Sequence, residues 1–231
     1  MAESIYFVVF PYITVVLAVG VGLYRYFTNR FSYSSMSTQL LENRALFWGS
    51  GPWHYGIVLI LVAHLLALVI PGFWVSLHRN AVRMMCIEML GGALGLFTLL
   101  GILVLIIRRL FNAKTRPVTT AMVWILLVDL LLQVAAGLYI VLFVRWGSLW
   151  YEYIATPWLV SLASFSPRID FVTPLPWIVR FHMVNAFVLI GLFPFTRLVH
   201  IFTVPLSYLW RPYQVAIWYK SRNDGRRKRD I

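Results

Sequence analysis

The sequence predicts an all-α fold, a polytopic five-helix bundle in a membrane, and three observations predict it. Of 231 residues, 61% are apolar and only 12% charged, whereas a soluble domain is nearer half apolar and a quarter charged. The apolar residues gather into five runs, each near or above the ~20 residues that carry a helix across a bilayer. The basic residues concentrate in alternate connections between those runs, as they do in multi-span proteins. This pattern excludes an ordinary soluble enzyme, a disordered chain and a disulfide scaffold. A single cysteine, Cys86, excludes an intrachain disulfide and a thiolate metal cluster within the chain.

The whole chain, 1–231, reads as one membrane domain. The first span covers about 5–23. Only Met1-Ala2-Glu3-Ser4 precedes it, with no basic stretch and no small-residue cleavage site, so it reads as a retained helix rather than a signal peptide. The second covers about 53–73, the third about 84–107 and the fourth about 121–144. The fifth, about 177–204, is longer than a perpendicular helix needs and should tilt or protrude. It contains Pro194, which removes a backbone hydrogen bond and favours a kink.

Charge sets the direction. The first and third connections and the tail after 204 hold fourteen Lys and Arg, while the second and fourth connections hold four. The positive-inside rule then puts the N-terminus outside and the C-terminus in the cytoplasm of a multi-pass cell (inner) membrane protein. The net charge is +12, and half of the fourteen Lys and Arg counted above lie in the basic tail, 205–231. It reads as topology retention or attraction to anionic membrane lipid, not as a nucleic-acid site. The long outer connection, 145–176, carries Trp146, Trp150, Tyr151, Tyr153 and Trp158. Such rings favour the headgroup layer. A short helix lying flat on the outer surface is expected there, either lidding a site or serving as a plain interfacial anchor.

Four of the five histidines lie in two spans: His54 and His64 in the second, His182 and His200 in the fifth. Ionisable groups inside a membrane are rare and mark function, and neutral imidazole is an effective metal ligand. His54 and His64 are ten residues apart, hence ~15 Å along a helix axis, and His182 and His200 are eighteen apart, hence ~27 Å and on one face. The two spans run in opposite directions. Antiparallel packing therefore sets His54 opposite His200 and His64 opposite His182, at two membrane depths. Facing imidazoles with a porphyrin between them make a bis-histidine haem site, and bundle cores commonly build cofactor sites in this way. Tilt, the Pro194 kink and tilted haem planes would absorb the unequal separations. With no Cys-x-x-Cys-His motif, such haems would be held non-covalently, as b-type.

Supporting residues follow. Gly91, Gly92, Gly95 and Gly101 mark the third span for close packing or for making room beside a flat macrocycle. Arg180 and Arg197 precede two of the histidines and suit either haem propionates or their own interfaces. Asp129 and Gln133 share a face of the fourth span, and a buried Asp demands a partner or a proton. His78, in the short outer connection, reads as a solvated loop residue.

The run Ser37-Thr38-Gln39-Leu40-Leu41-Glu42-Asn43-Arg44, then Leu46-Phe47-Trp48-Gly49-Ser50 and His54, resembles the gamma subunit of respiratory nitrate reductases. So do Gly91 through Gly95 and Arg108-Arg109-Leu110-Phe111. The densest match is Arg180-Phe181-His182 with Phe193-Pro194-Phe195-Thr196-Arg197-Leu198-Val199-His200, continuing into Val204-Pro205 and Tyr208-Leu209. The resemblance covers nearly the whole chain. It implies a five-helix dihaem cytochrome b that anchors an iron–sulfur beta subunit and a molybdenum-cofactor alpha subunit on the cytoplasmic face. It implies His54 and His200 on an inner haem b, and His64 and His182 on an outer one. It further implies quinol oxidation beside the outer haem, where the family has a lysine shortly before the Gly-Gly pair. This chain has Arg83 there. Arginine stays protonated, so Arg83 carries over only as a hydrogen-bond donor to a quinol oxygen. The rival expectations are a dihaem anchor of a different redox complex, serving sulfur-compound reduction or nitrite oxidation, a passive membrane anchor, and a proton-coupled transporter using the histidines and Asp129. Against the transporter, the sequence has no inverted repeat or matched pair of broken helices.

Overall fold

A computed structural model of the chain describes residues 2–29, 44–144 and 147–201. Among them every regular element is helical, and five helices are long and apolar enough to cross a membrane. They are Ile5–Thr28, Arg44–Val69, Ala81–Phe111, Ala121–Phe143 and Trp177–Phe195. The protein is a multi-pass membrane protein.

Local sequence sets the ends of these spans. The second stops at Val69 because Pro71 supplies no backbone N–H to continue the ladder, and Pro71 instead starts a separate short helix, Pro71–His78. The third is capped by Asn80, whose side chain accepts from Val82 N at 3.0 Å and Arg83 N at 3.2 Å. It ends at Asn112, where Thr115 Oγ1 donates to the Arg108 carbonyl at 3.1 Å. The fifth α-helix ends at Leu192. Pro194 tightens the next turn, Phe193–Phe195, and Thr196 is extended, with φ −118° and ψ −176°. His200 therefore sits on a following turn, Arg197–Ile201, and not eighteen residues up one straight helix. The same-face, ~27 Å premise for His182 and His200 does not hold, because the proline ends the α-helix rather than only bending it. The first three spans run longer than expected, the first to Thr28, the second from Arg44 and the third to Phe111, while the fourth ends at Phe143, close to expectation.

The neighbour order is second–third, third–fourth, fourth–fifth, fifth–first. The second and third spans approach most closely. A Cβ at Gly101 would lie 2.5 Å from Trp53 N and 2.9 Å from the Gly49 carbonyl, and one at Gly49 would lie 2.8 Å from Leu105. Small residues let the backbones touch where lipid supplies no hydrophobic drive. Gly95, whose added Cβ would meet Leu138 at 3.2 Å, does the same toward the fourth span, whereas nothing stands within 4 Å of a Cβ at Gly91. Large apolar side chains such as Leu59, Leu65 and Leu100 remain exposed, as lipid-facing residues do.

The two ends of the bundle differ. One end gathers the N-terminus and the second and fourth connections. There Arg180 pairs with Glu3 at 2.9 Å, Thr173 donates to Glu3 at 3.1 Å and Tyr12 donates to the Leu162 carbonyl at 2.9 Å. The other end gathers cations. Arg25 donates to the Pro194 carbonyl, and Arg109 donates to Thr119 at 3.1 Å within electrostatic range of Arg108 and Arg197.

The fourth connection is structured from Gly147 to Ala163, through a π-helical turn, Tyr151–Ala155, into the helix Thr156–Ala163. It is more than an interfacial anchor. Trp158 is 1% exposed, edge-on to Phe7 and Phe187, and its indole N–H donates to the Phe7 carbonyl at 3.2 Å. Burying this ring locks the connection onto the first and fifth spans. Trp146 lies outside the described residues, while Tyr153 remains exposed.

Candidate cofactor site

Three of the four span histidines can be followed atom by atom. His54 Nδ1 lies 2.7 Å from the Ser50 carbonyl, one turn back on its own helix. His64 Nδ1 lies 2.8 Å from the Ile60 carbonyl in the same relation. His182 Nδ1 lies 3.1 Å from the carbonyl of Gln133, across on the fourth span. A carbonyl only accepts, so each Nδ1 carries the proton and donates. That fixes the tautomer and leaves each Nε2 with a lone pair. This is the arrangement that ligating histidines adopt, with the second ring nitrogen tied to a carbonyl or carboxylate. The donor set therefore fits a bis-imidazole iron site.

The surroundings fit as well. His64 and His182 lie close enough to act on one another electrostatically. The second and fifth spans are not among the closely packed pairs, and a porphyrin clamped between facing imidazoles needs their backbones apart. Room for the His182 ring is made by Gly137, where a Cβ would come within 3.0 Å of Cε1. No group of three or more His, Cys, Asp or Glu side chains gathers among the described residues. The His200 side chain lies outside the described residues, so of the expected His54–His200 pair only His54 is described.

Around His182 runs a polar chain that the sequence reading only half contained. The Gln133 amide donates toward His182 Nε2 at 3.4 Å. Its carbonyl oxygen accepts from Asn185 Nδ2 at 2.9 Å, and Asn185 also donates to the Asp129 main-chain oxygen at 3.2 Å. Asp129 is buried, and its Oδ2 has no hydrogen-bond partner among the described residues. Asn185 was missed, although its signal was available: an amide one turn after His182 in an apolar helix. Iron on His182 Nε2 would replace the weak Gln133 contact and leave the Nδ1 bond to the main chain in place.

At the end of the bundle that holds the N-terminus, Tyr151 covers His64. Its hydroxyl donates to the His64 carbonyl at 2.9 Å, and the two rings meet edge-on at 4.9 Å. The expectation for His78 is overturned. It is not a solvated loop residue: it ends the helix Pro71–His78, is buried and is bonded through Nδ1 to Glu152 Oε1. Packing of that helix under the π-helical turn excludes water from it. Glu152 was also missed, a lone carboxylate among five aromatic residues. Arg83 stands exposed in the first turn of the third span. Arg180 is held by Glu3, and Arg197 lies at the cationic end.

The sequence matches the family described as nitrate reductase gamma subunit over residues 3–219. It is 31% identical to the nitrate reductase gamma chain of Bacillus subtilis (strain 168), across 96% of this chain and all of that protein. It is 32% identical to the respiratory nitrate reductase 1 gamma chain of Escherichia coli (strain K12), across 91% of this chain and 95% of that protein. A nitrate reductase-like protein of Mycobacterium tuberculosis (strain CDC 1551 / Oshkosh) is 31% identical across 97% of this chain, which spans 35% of that longer protein. The helical bundle and a match along most of its length agree: the chain belongs to the nitrate reductase gamma subunit family.

Proposed function

We propose that this protein is the quinol-oxidising dihaem b subunit of a membrane-bound nitrate reductase. The observation that carries the reading is the His64–His182 pair: two imidazoles from different spans, each with Nδ1 donated to a main-chain oxygen, beneath a tyrosine lid. In this reading His64 and His182 hold the outer haem, and His54 and His200 hold the inner one. A bound haem supplies one-electron chemistry, with its potential tuned by axial ligands and burial.

The chain's own residues do the rest. Main-chain carbonyls hold the imidazoles in the ligating tautomer. Tyr151 and the Trp158-anchored connection exclude water from the outer site. Arg83 donates a hydrogen bond to a quinol oxygen. Arg180 and Arg197 face haem propionates, and Arg180 keeps Glu3 as a second partner. The N-terminus lies outside and the cationic end faces the cytoplasm, in accord with the positive-inside distribution. Protons are therefore released outside, while electrons travel inward to an iron–sulfur beta subunit and a molybdenum-cofactor alpha subunit. The connection 25–51 and the tail from Pro205 dock those partners. Most of both stretches lies outside the described residues.

The test is His64→Ala in the assembled complex. One of two b haems per chain should be lost, and quinol-driven haem reduction with it. Nitrate reduction from a soluble low-potential donor to the partner subunits should survive. Two haems and unchanged quinol oxidation in that variant would overturn the assignment.

A further inference from the structure

His78 and Glu152 form a closed pair at the outer end. The helix Pro71–His78 brings the imidazole and the π-helical turn brings the carboxylate. The side chains are 2% and 0% exposed. Each keeps one buried polar atom without a hydrogen-bond partner among the described residues: His78 Nε2 and Glu152 Oε2. Burying polar atoms unpaired is costly, so two adjacent ones call for a ligand. The pair adjoins the outer haem position. Glu152 follows Tyr151, which touches the His64 ring and bonds its carbonyl. Trp74 closes the other side of His78, edge-on at 5.6 Å.

The ligand's chemistry follows from the atoms. With Nδ1–H donated to the carboxylate, Nε2 offers a lone pair, which suits a hydroxyl proton. Arg83, the nearby cation on the third span, cannot accept one. Building on the quinol-oxidation reading, we propose that His78 Nε2 is the base that takes the quinol's protons, with Glu152 as the positioning residue that fixes its tautomer and stabilises the imidazolium. Each quinol O–H bond breaks to give one proton and one electron. The proton bonds to Nε2; a haem, which His64 and His182 would hold through Nε2, would supply the one-electron acceptor. The imidazolium gives its proton to outside water, through the Glu152 carboxylate, before the second O–H bond breaks. The products are quinone, two protons outside and two electrons passed inward.

Other ionisable groups stand on the elements packed around the pair: His64 on the second span, Arg83 and Glu88 on the third, Arg79 beside His78, and Tyr151 and Tyr153 on the π-helical turn. The Tyr151 phenol is pushed up to about 12 by burial, so it stays protonated at working pH. Once protonated, His78 is the charge that acts on Glu152. Burial pushes the Glu152 carboxyl above its ordinary value while His78 opposes that rise, so the pair should be ready to accept only above a threshold pH.

The experiment uses the haem-loaded complex and the variants His78→Gln and Glu152→Gln. In the unaltered protein, quinol-driven haem reduction should rise along an acid limb as pH increases. His78→Gln should lose about 10²-fold or more in rate at pH 7 and lose the limb. Glu152→Gln should move the limb and slow the reaction about tenfold. Both should keep two b haems per chain, reducible by dithionite. Binding gives a second readout. 4-Methoxy-1-naphthol, which has one hydroxyl, should bind the unaltered protein more tightly than 1,4-dimethoxynaphthalene, which has none, and His78→Phe should erase that preference. Normal rate, limb and naphthol preference in the His78 variants would overturn the proposal and leave quinol oxidation standing. Failure of quinol to reduce the unaltered haems would overturn the parent reading instead. If His78→Gln fails to assemble, Glu152→Gln decides: an unmoved limb overturns the proposal.

Discussion

Gly137 lies against the imidazole of His182: a Cβ on Gly137 would stand 3.0 Å from Cε1 and 3.6 Å from Nδ1. The fourth span therefore shapes the surroundings of His182 twice, accepting the Nδ1 proton at the Gln133 carbonyl and withdrawing its side chain one turn later. Gly137→Val should displace the ring and cost one b haem, lowering haem content from two per chain to about one. Pyridine haemochrome assay on purified protein checks this, and full retention of both haems would remove His182 from the ligand set.

The glycines of the third span should separate by depth of contact. Gly101→Leu drives a side chain into the Trp53 and Gly49 backbone and should destabilise the bundle by at least the ~1–3 kcal/mol of an overpacked core. Gly91→Ala meets nothing within 4 Å and should stay within about 0.5 kcal/mol of neutral. Thermal unfolding in detergent distinguishes them, and equal midpoints would refute the packing role.

The Arg180–Glu3 ion pair has side chains 34% and 39% exposed. Partly exposed pairs contribute about 0–1 kcal/mol. Glu3→Gln should shift the unfolding midpoint only slightly, and less at high salt. A large loss would mean that Glu3 is coupled to the haem environment through Arg180.

Stability should also depend on Glu152 in a signed way. Burial raises its carboxyl above the ordinary value of 4.5, opposed by attraction to His78. A group with a raised folded value stabilises the fold fully below its unfolded value and loses that contribution as pH climbs through the folded one. Relative to Glu152→Gln, which cannot titrate, the unaltered protein should lose stability as pH rises from about 4.5 through that raised value. A relative gain over that window would show that the attraction to His78 outweighs burial.

Much of this protein was legible one residue at a time. Five apolar runs, the bias of Lys and Arg between connections, and histidines confined to two spans are linear features. They foretold the bundle because a bilayer admits few backbone solutions, and they singled out the histidines as candidate ligands because it penalises every buried polar group. Asn185 could have been read as well, as an amide one turn from His182. The proline at 194 was visible, but its consequence was underestimated: extended Thr196 completes the break.

The sequence by itself determined the class of structure and which side chains are chemically able to bind iron, because composition and period are enough to choose helices in lipid. Only the tertiary structure decided which nitrogen each imidazole offers, that Gly137 yields space to His182, and that His78 leaves water to face Glu152 across 74 residues. Those are contacts between distant segments, set by how the connections fold back on the spans, and no local pattern of residues encodes them.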